Sequence, residues 1–231
     1  MEGLNPRSVL VTGSNRGIGL ELVKQLVGKR DPPEWIFATC RDPEGPGAKV
    51  SPGRNQLGVN NLALVTGKAS GLNLLFNNAG IVKPSSLESE TPENMLEVYN
   101  TNVVGPMVFL PLLRKASKES LLKGMSCSKA AIINVSSDCG SITNIMAWDI
   151  GQIPNYRCSK TALNMLNRCQ SLQYAQDEIL CVRNFSPHKI NTSTTGISNL
   201  DGVQNILKTL ARLSEKETGT FVNWDGKPLP W

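Results

Sequence analysis

Histidine, charge blocks and long apolar runs are scarce in this chain. Its only histidine is His188, and its six cysteines include no CxxC pair and no ligand-like spacing with that histidine. A metal site is therefore not predicted, and the thiols are expected to be reduced and mostly structural. The 24 basic and 19 acidic residues are scattered, with a net charge of +5 and no block of five or six like charges. Nucleic-acid binding usually concentrates basic charge, so no nucleic-acid partner is expected.

The apolar residues are also too dispersed for a membrane span. No stretch approaches the ~18 consecutive apolar residues that a spanning helix needs, and Met1 to Arg7 lack the apolar core of a signal peptide. A cytoplasmic protein without a membrane partner is expected. With 231 residues of which 40% are hydrophobic, the chain can bury one sizeable core and is short for two. This predicts a single domain over residues 1–231.

Apolar runs alternate with amphipathic segments along most of the chain. Strands are predicted at residues 8–11, 35–40, 72–76, 130–135, 179–182 and 220–224. Helices are predicted after the first strand, from Thr91 onward, and from Tyr156 to about Gln176. Strands that alternate with helices indicate the α/β class, with a doubly wound, Rossmann-like parallel sheet.

The helix that begins at Thr91 is expected to be bent. Thr91 supplies a hydroxyl cap, and Pro92 occupies the first helical position. The helix must continue through Asn102, but Pro106 and Pro111 follow within it. Because an interior proline costs ~3 kcal/mol, the sequence predicts a kink near Asn102.

The segment from Asp42 to Gly71 does not follow the alternating pattern. It is rich in proline and glycine, and a candidate strand at residues 62–65 would be separated from the strand at Leu72 by residues 66–71 alone. A parallel crossover needs ~10–12 residues or more. Either the crossover helix has been lost, or residues 62–65 do not take the usual place in the sheet, so the third-strand region is predicted to be truncated.

A glycine-rich turn lies between the first strand and the first helix. It comprises Gly13, Ser14, Asn15, Arg16, Gly17, Ile18 and Gly19. Its backbone amides lie at a helix N-terminus, where they can bind a diphosphate. Arg16 and Arg41 lie near the expected adenosine ribose, and no carboxylate follows the second strand to accept a 2′-hydroxyl. Two guanidiniums suit a 2′-phosphate, so NADP(H) is predicted over NAD(H), unless both are ordinary surface arginines.

A second constellation combines a phenol, an ammonium and a hydroxyl. Tyr156 and Lys160 are one helical turn apart, about 20 residues after Ser137, which follows a predicted strand. Open α/β sheets bind ligands at the carboxyl ends of their strands. The ammonium is expected to lower the pKa of the phenol from ~10 toward neutrality, while Ser137 hydrogen-bonds the substrate oxygen. The pattern predicts hydride chemistry on a carbonyl group.

Five motifs in this order resemble the short-chain dehydrogenase/reductase family, specifically its branch of C-factor and insect-type carbonyl reductases. They are the glycine turn from Thr12 to Gly19, the run Asn77-Asn78-Ala79-Gly80, Asn102, Ser137, and Tyr156 with Lys160. The resemblance covers nearly the whole chain. It implies a small-molecule carbonyl substrate, an NADP(H) cofactor, and a homodimer formed through the helices that carry Asn102 and Tyr156.

The resemblance also implies residue roles. Tyr156 is the general acid, and Lys160 binds the nicotinamide ribose and lowers the pKa of the tyrosine. Ser137 orients the carbonyl, and Asn102 holds a water in the proton relay. Cofactor contacts are implied for Asn78, Ala79, Gly80, Tyr156, Lys160, Ile190 and Thr192.

The chain departs from the family pattern at two places. Thr66-Gly67 stands where an aspartate-containing pair and a crossover helix are usual, and His188 replaces a glycine near the nicotinamide. Two functions therefore stay open. The first is an NADPH-dependent reductase of small aldehydes or ketones, favoured by the four intact catalytic positions. The second is a catalytically impaired or non-enzymatic relative, a splice or divergent form with a structural or interaction role, favoured by the two departures.

Overall fold

The computed structural model describes residues 3–42, 56–58, 71–107, 110–145, 148–185 and 199–230. The strands are β1 (Ser8–Thr12), β2 (Trp35–Thr39), β3 (Gln56–Gly58), β4 (Leu74–Asn77), β5 (Ala131–Ser136), β6 (Leu180–Phe185) and β7 (Phe221–Val222). The α-helices are α1 (Gly17–Val27), α2 (Pro92–Tyr99), α3 (Leu110–Glu119), α4 (Pro154–Gln173) and α5 (Asn199–Leu210).

These strands form one parallel sheet in the order β3-β2-β1-β4-β5-β6-β7. The order reverses between β1 and β4, where Val11 is paired with Phe76 on one side and with Ala38 on the other. All carboxyl ends lie at the same edge, and a ligand of a doubly wound sheet binds at this edge beside the reversal. The predicted fold class, a doubly wound parallel sheet with helices, is confirmed.

The core consists of two apolar layers, one on each face of the sheet. On one face α1 and α5 pack on alternate residues of the central strands, such as Val11, Phe76 and Ile133. On the other face Leu10, Phe37, Leu75 and Ile132 pack with Leu113 of α3. Central strands buried on both faces explain why their sequences are continuous apolar runs without alternation.

The place beside β2 is taken by β3, in which Leu57 pairs with Phe37. This three-residue strand is not predicted from the sequence, because a short segment among prolines and glycines has no clear period. The candidate strand at residues 62–65 lies outside the described residues, as do Thr66 and Gly67. Both alternatives therefore stay open, and the described residues show only that Gln56–Gly58 lie beside β2. The 15 residues from 59 to 73 separate β3 from β4, which meets the minimum length of a parallel crossover.

The predicted kink near Asn102 takes the form of a π-helical turn. Thr91 caps α2 by accepting a hydrogen bond from the amide of Asn94 at 3.2 Å. The α-helix then changes to a π-helical segment at Asn100–Val104 and a 3-10 turn at Gly105–Met107. Because a π turn widens the hydrogen-bond ladder, it allows the chain to pass Pro106 without a steric clash.

Several boundaries differ from those predicted by a few residues. The helix with Tyr156 begins at Pro154, because proline is suited to the first helical position. The final strand is limited to Phe221–Val222. None of the six cysteines, all within the described residues, forms a disulfide. None of the described helices is long and apolar enough to cross a membrane.

Candidate active site

The turn between β1 and α1 needs glycine at three positions. Gly13 and Gly17 have φ values of +66° and +56°, in the left-handed region that glycine adopts without a steric penalty. A Cβ atom at Gly19 would lie 2.3 Å from the carbonyl oxygen of Gly13 and 2.5 Å from Nδ2 of Asn78. A Cβ atom at Gly17 would have no other atom within 4 Å. The turn is therefore tightly packed on the protein side and open at the amino end of α1.

Hydrogen bonds join this turn to the neighbouring strand ends. Thr12 Oγ1 accepts from the backbone amides of Asn78 and Ala79 at 3.1 and 3.0 Å. The side chain of Asn78 donates to the carbonyls of Thr12 and Gly13 at 2.9 and 3.2 Å. Ser14 donates through its amide and its hydroxyl to the carbonyl of Thr39 at 3.0 and 3.1 Å. The ends of β1, β2 and β4 are thus held together, and Thr12 is a positioning residue that the sequence analysis did not single out.

The two arginines predicted to contact a 2′-phosphate are both exposed at this edge. Arg16 directly precedes α1 as its N-cap residue, and Arg41 lies two residues beyond the end of β2. Asn15 and Ile18, also predicted to contact the cofactor, are half-buried in the turn. Contacts of these side chains with a cofactor stay a prediction.

The structure brings Ser137, Tyr156 and Lys160 together at the carboxyl end of β5. Tyr156 lies beside Ser137. The Ser137 hydroxyl donates to Oδ1 of Asp138 at 3.0 Å and accepts from the amide of Cys139 at 3.2 Å. Lys160 Nζ donates to the carbonyl of Val135 at 2.7 Å and lies 5.5 Å from the centre of the Tyr156 ring. Only 7% of Tyr156 and 3% of Lys160 are exposed.

Asn102 joins the same cluster from the π-helical turn. Its Nδ2 donates to the carbonyl of Ile81 at 3.0 Å and to the hydroxyl of Ser159 at 2.9 Å, and its Oδ1 accepts from the amide of Ile81 at 2.9 Å. A Cβ atom at Gly80 would lie 3.4 Å from Oδ1 of Asn102 and 3.6 Å from Nζ of Lys160. Asn102 and Lys160 therefore meet beside Gly80, the last residue of the motif that follows β4.

Burial controls the titration of the Tyr156–Lys160 pair. It raises the pKa of Tyr156 well above the ordinary value, the Ser137 hydrogen bond opposes this, and the nearby Cys139 and Asp138 reinforce it. Burial also lowers the pKa of Lys160 to about 8. The prediction that Lys160 lowers the Tyr156 pKa toward neutrality is wrong in this structure. The ammonium is bound to the Val135 carbonyl and lies over the ring face, so desolvation of the phenolate prevails.

The cofactor contacts implied for Ile190 and Thr192, and the departure from the family pattern at His188, fall on undescribed residues. The described residues contain no group of three or more histidine, cysteine, aspartate and glutamate side chains that could hold a metal ion.

A glycine turn at the strand-order reversal, with a buried tyrosine and lysine at the same edge, defines a dinucleotide-binding oxidoreductase site. Residues 59–223 match the family model described as short chain dehydrogenase. The chain belongs to this family.

Two solved carbonyl reductases are similar to the chain over almost all of its length. The NADPH-bound carbonyl reductase from chicken fatty liver is 45% identical, with a TM-score of 0.90 over 99% of this chain and 95% of that chain. Carbonyl reductase Sniffer of D. melanogaster is 35% identical, with a TM-score of 0.87 over 98% of this chain and 100% of that chain. An uncharacterized oxidoreductase of Schizosaccharomyces pombe is 27% identical over 261 residues, covering 96% of each chain. The resemblance to carbonyl reductases of this family is confirmed.

Two alanine substitutions in the glycine turn test its packing. Gly17→Ala should cost about 1–2 kcal/mol, because the left-handed backbone alone opposes it. Gly19→Ala should cost about 3 kcal/mol or more, because the new methyl group meets the Gly13 carbonyl. Urea unfolding measures both losses, and equal losses would contradict the described packing.

The buried Lys160 should make stability depend on pH. The pKa of Lys160 is about 8 in the folded protein and 10.5 in its ordinary, unfolded state. Between these two pH values the unfolded chain binds more protons than the folded protein. The free energy of unfolding therefore rises with pH in this range. Relative to Lys160→Met, the wild-type free energy of unfolding should rise by about 3 kcal/mol between pH 7 and pH 10.5. Urea unfolding of both proteins at both pH values measures this rise, and a constant difference would show that Lys160 is not desolvated.

Proposed function

We propose that the protein is an NADPH-dependent reductase of small aldehydes or ketones. The observation that carries this proposal is the placement of Tyr156 beside Ser137 and the buried Lys160 ammonium, at the sheet edge that holds the glycine turn. These groups are a proton donor, a carbonyl-orienting hydroxyl and a dinucleotide turn, which are the parts that carbonyl reduction requires.

The shape of the site fits a dinucleotide. The open side of Gly17 leaves room at the amino end of α1, where the backbone amides of the turn would hold the diphosphate. Arg16 and Arg41 would bind the 2′-phosphate, and Asn78, Ala79 and Gly80 would line the path toward Lys160. The 45% identical chicken carbonyl reductase is an NADPH-bound structure, which supports the same cofactor here. Contacts from Ile190 and Thr192 stay predictions.

When bound, NADPH supplies the hydride for the carbonyl carbon. Tyr156 donates the proton of its hydroxyl to the carbonyl oxygen, and the raised pKa keeps this proton in place at neutral pH. Ser137 orients the carbonyl by donating a hydrogen bond to the same oxygen, for which its hydroxyl must turn from Asp138. Lys160, with a pKa of about 8, returns a proton to the tyrosine, and Asn102 holds the water through which this proton arrives from solvent.

The substrate is proposed to be apolar. The stretch after Ser137 presents Ile142, Ile145, Trp148 and Ile150 to solvent, with Ile150 at 85% and Ile142 at 71% exposed. Apolar side chains near a polar reacting centre are typical of ligand pockets. A small uncharged aldehyde or ketone matches this combination.

The remaining expectations follow from this function. We infer that residues 1–231 act as one dinucleotide-binding domain, and the single sheet from Ser8 to Val222 supports this. Exposed apolar side chains on α2 and α4, including Leu96, Met165 and Leu172, are compatible with the homodimer. The cytoplasmic location and the lack of nucleic-acid and membrane partners stay predictions.

The alternative of a catalytically impaired or non-enzymatic relative has less support, because β3 fills the place beside β2 and the four catalytic positions converge.

Removing the phenol hydroxyl tests the proton donor. Tyr156→Phe keeps the ring and its packing but not the proton, so kcat should fall by about 100-fold or more, while the Kd for NADPH stays within about twofold. Consumption of NADPH with a neutral aromatic aldehyde gives kcat, and fluorescence titration gives Kd. Wild-type turnover in the variant would sink the mechanism.

Removing one exposed guanidinium tests the choice of cofactor. Arg41→Ala should weaken NADPH binding by about tenfold or more, the size expected for a charge-assisted hydrogen bond, and leave NADH binding unchanged. Arg30→Ala is the matched control, because Arg30 is 87% exposed and lies after the opposite end of α1. If the ratio of the two dissociation constants is unchanged by Arg41→Ala, Arg41 does not contact the 2′-phosphate.

A further inference from the structure

The segment between Gly80 and α2, residues 81–91, lies against the first turn of α4 and is called the β4–α2 loop. The amide of Ile153 donates to the carbonyl of Ser85 at 3.0 Å. The amide of Leu87 donates to the side chain of Gln152 at 2.8 Å. These contacts come immediately before α4, the helix that carries Tyr156.

One carboxylate in this loop gathers four hydrogen bonds. Oε2 of Glu90 accepts from the hydroxyl of Ser85 at 2.6 Å, and from Nδ2 and the backbone amide of Asn155 at 2.7 and 3.1 Å. Oε1 accepts from the backbone amide of Thr91 at 3.1 Å. Desolvation opposes ionisation, but the hydrogen bonds from Ser85 and Asn155 prevail and lower the pKa of Glu90. The side chain is therefore charged at neutral pH.

The partner of this carboxylate is adjacent to the catalytic tyrosine. Asn155 is the second residue of α4, directly before Tyr156, and is 1% exposed. Its Nδ2 also donates to the carbonyl of Lys83 at 2.9 Å and to the hydroxyl of Ser85 at 2.8 Å. The first amides of a helix have no partner within the helix, and a negative charge is favourable there. Glu90 supplies both the acceptor and the charge from another segment.

The residue before α4 has a strained backbone that this loop supports. Ile153 has φ 38° and ψ 56°, a left-handed conformation that is unfavourable for a β-branched residue. Its carbonyl accepts from the amides of Tyr156 and Arg157, both at 3.1 Å. No side chain caps α4 at Ile153, so the entry to the helix depends on this strained turn and on the loop that binds it.

The same carboxylate connects α4 with α2, the helix that leads to Asn102. Thr91, whose amide is bound by Glu90, is the N-cap of α2, and α2 leads into the turn with Asn102. At the far side of the loop, Asn102 is bound to Ile81 and to Ser159 of α4. The β4–α2 loop is thus fixed at both ends against α4.

We propose that Glu90 is a positioning residue, whose carboxylate holds the first turn of α4 through Asn155 and thereby keeps the Tyr156 hydroxyl in line with Ser137. This inference rests on the proposed function, since it assigns Glu90 a part in the carbonyl reduction performed by Tyr156. Glu90 itself touches neither the substrate nor the reacting atoms.

The test compares Glu90→Ala with Glu88→Ala. Glu88 is an exposed carboxylate in the same loop, two residues away, so its removal changes the charge equally. Glu90→Ala should lower kcat at least tenfold while the aldehyde KM and the NADPH Kd stay within twofold, because only the proton donor is misplaced. Hydrogen exchange by mass spectrometry, on the protein without cofactor, should be faster in the first turn of α4. Glu88→Ala should match the wild type in all four measurements.

A second variant separates positioning from general destabilisation. Glu90→Gln keeps the shape and one carbonyl oxygen, so it should restore part of kcat and part of the exchange protection. The double variant Glu90→Ala with Asn155→Ala should lower kcat no further than the single substitution that lowers kcat more. Both residues act through the same contact, so their effects are not additive.

Two results would overturn the proposal. One is an unchanged kcat in Glu90→Ala. The other is a fall in kcat that is no larger than the fall in the fraction of folded protein, while hydrogen exchange in α4 is unchanged relative to the other helices. Failure of the proposed function would be visible separately, as a wild-type protein that reduces no aldehyde or ketone. In that case the exchange measurement still decides whether Glu90 holds the first turn of α4.

Discussion

The close approach of the carboxyl ends of β1 and β4 is the constraint on which the site depends. Thr12 binds the amides of Asn78 and Ala79, and the Asn78 side chain returns to the carbonyls of Thr12 and Gly13. Gly19 leaves no room for a side chain between these groups. The glycine turn is therefore placed directly beside Gly80, where Asn102 and Lys160 meet. A dinucleotide held by the turn would extend toward Tyr156 along this edge.

A buried chain of amides fixes α4 on the sheet in the register that the site needs. Asn77 donates to Asn134 at 2.8 Å, and Asn134 donates to Asn167 and Gln170 of α4, both at 2.9 Å. Ser136 donates to Asn164, also of α4, at 2.7 Å. A buried amide without a partner is costly, so a shift of the helix along the sheet would break several bonds at once. This register places Tyr156 and Lys160 against Ser137, and Glu90 fixes the start of the same helix.

The sequence was informative where one local pattern determines the structure. Continuous apolar runs predicted β1, β5 and β6, and the glycine and proline positions predicted the dinucleotide turn and the kink near Asn102. It was not informative where contacts between distant segments decide. The three-residue β3 is held by its pairing with β2, and Glu90 reaches Asn155 across 65 positions of sequence. The Tyr156 pKa followed burial, which the spacing between tyrosine and lysine does not reveal.

The most direct test of the account is thermal unfolding of the purified protein without nucleotide, with saturating NADPH and with NADH. A ligand that binds only the folded state at 100 times its Kd stabilises that state by about 2.7 kcal/mol. The account predicts a cooperative transition whose midpoint rises clearly with NADPH and rises less with NADH, because it assigns the 2′-phosphate to Arg16 and Arg41. A cooperative transition that neither nucleotide shifts would contradict it, and would identify a folded relative that does not bind the cofactor.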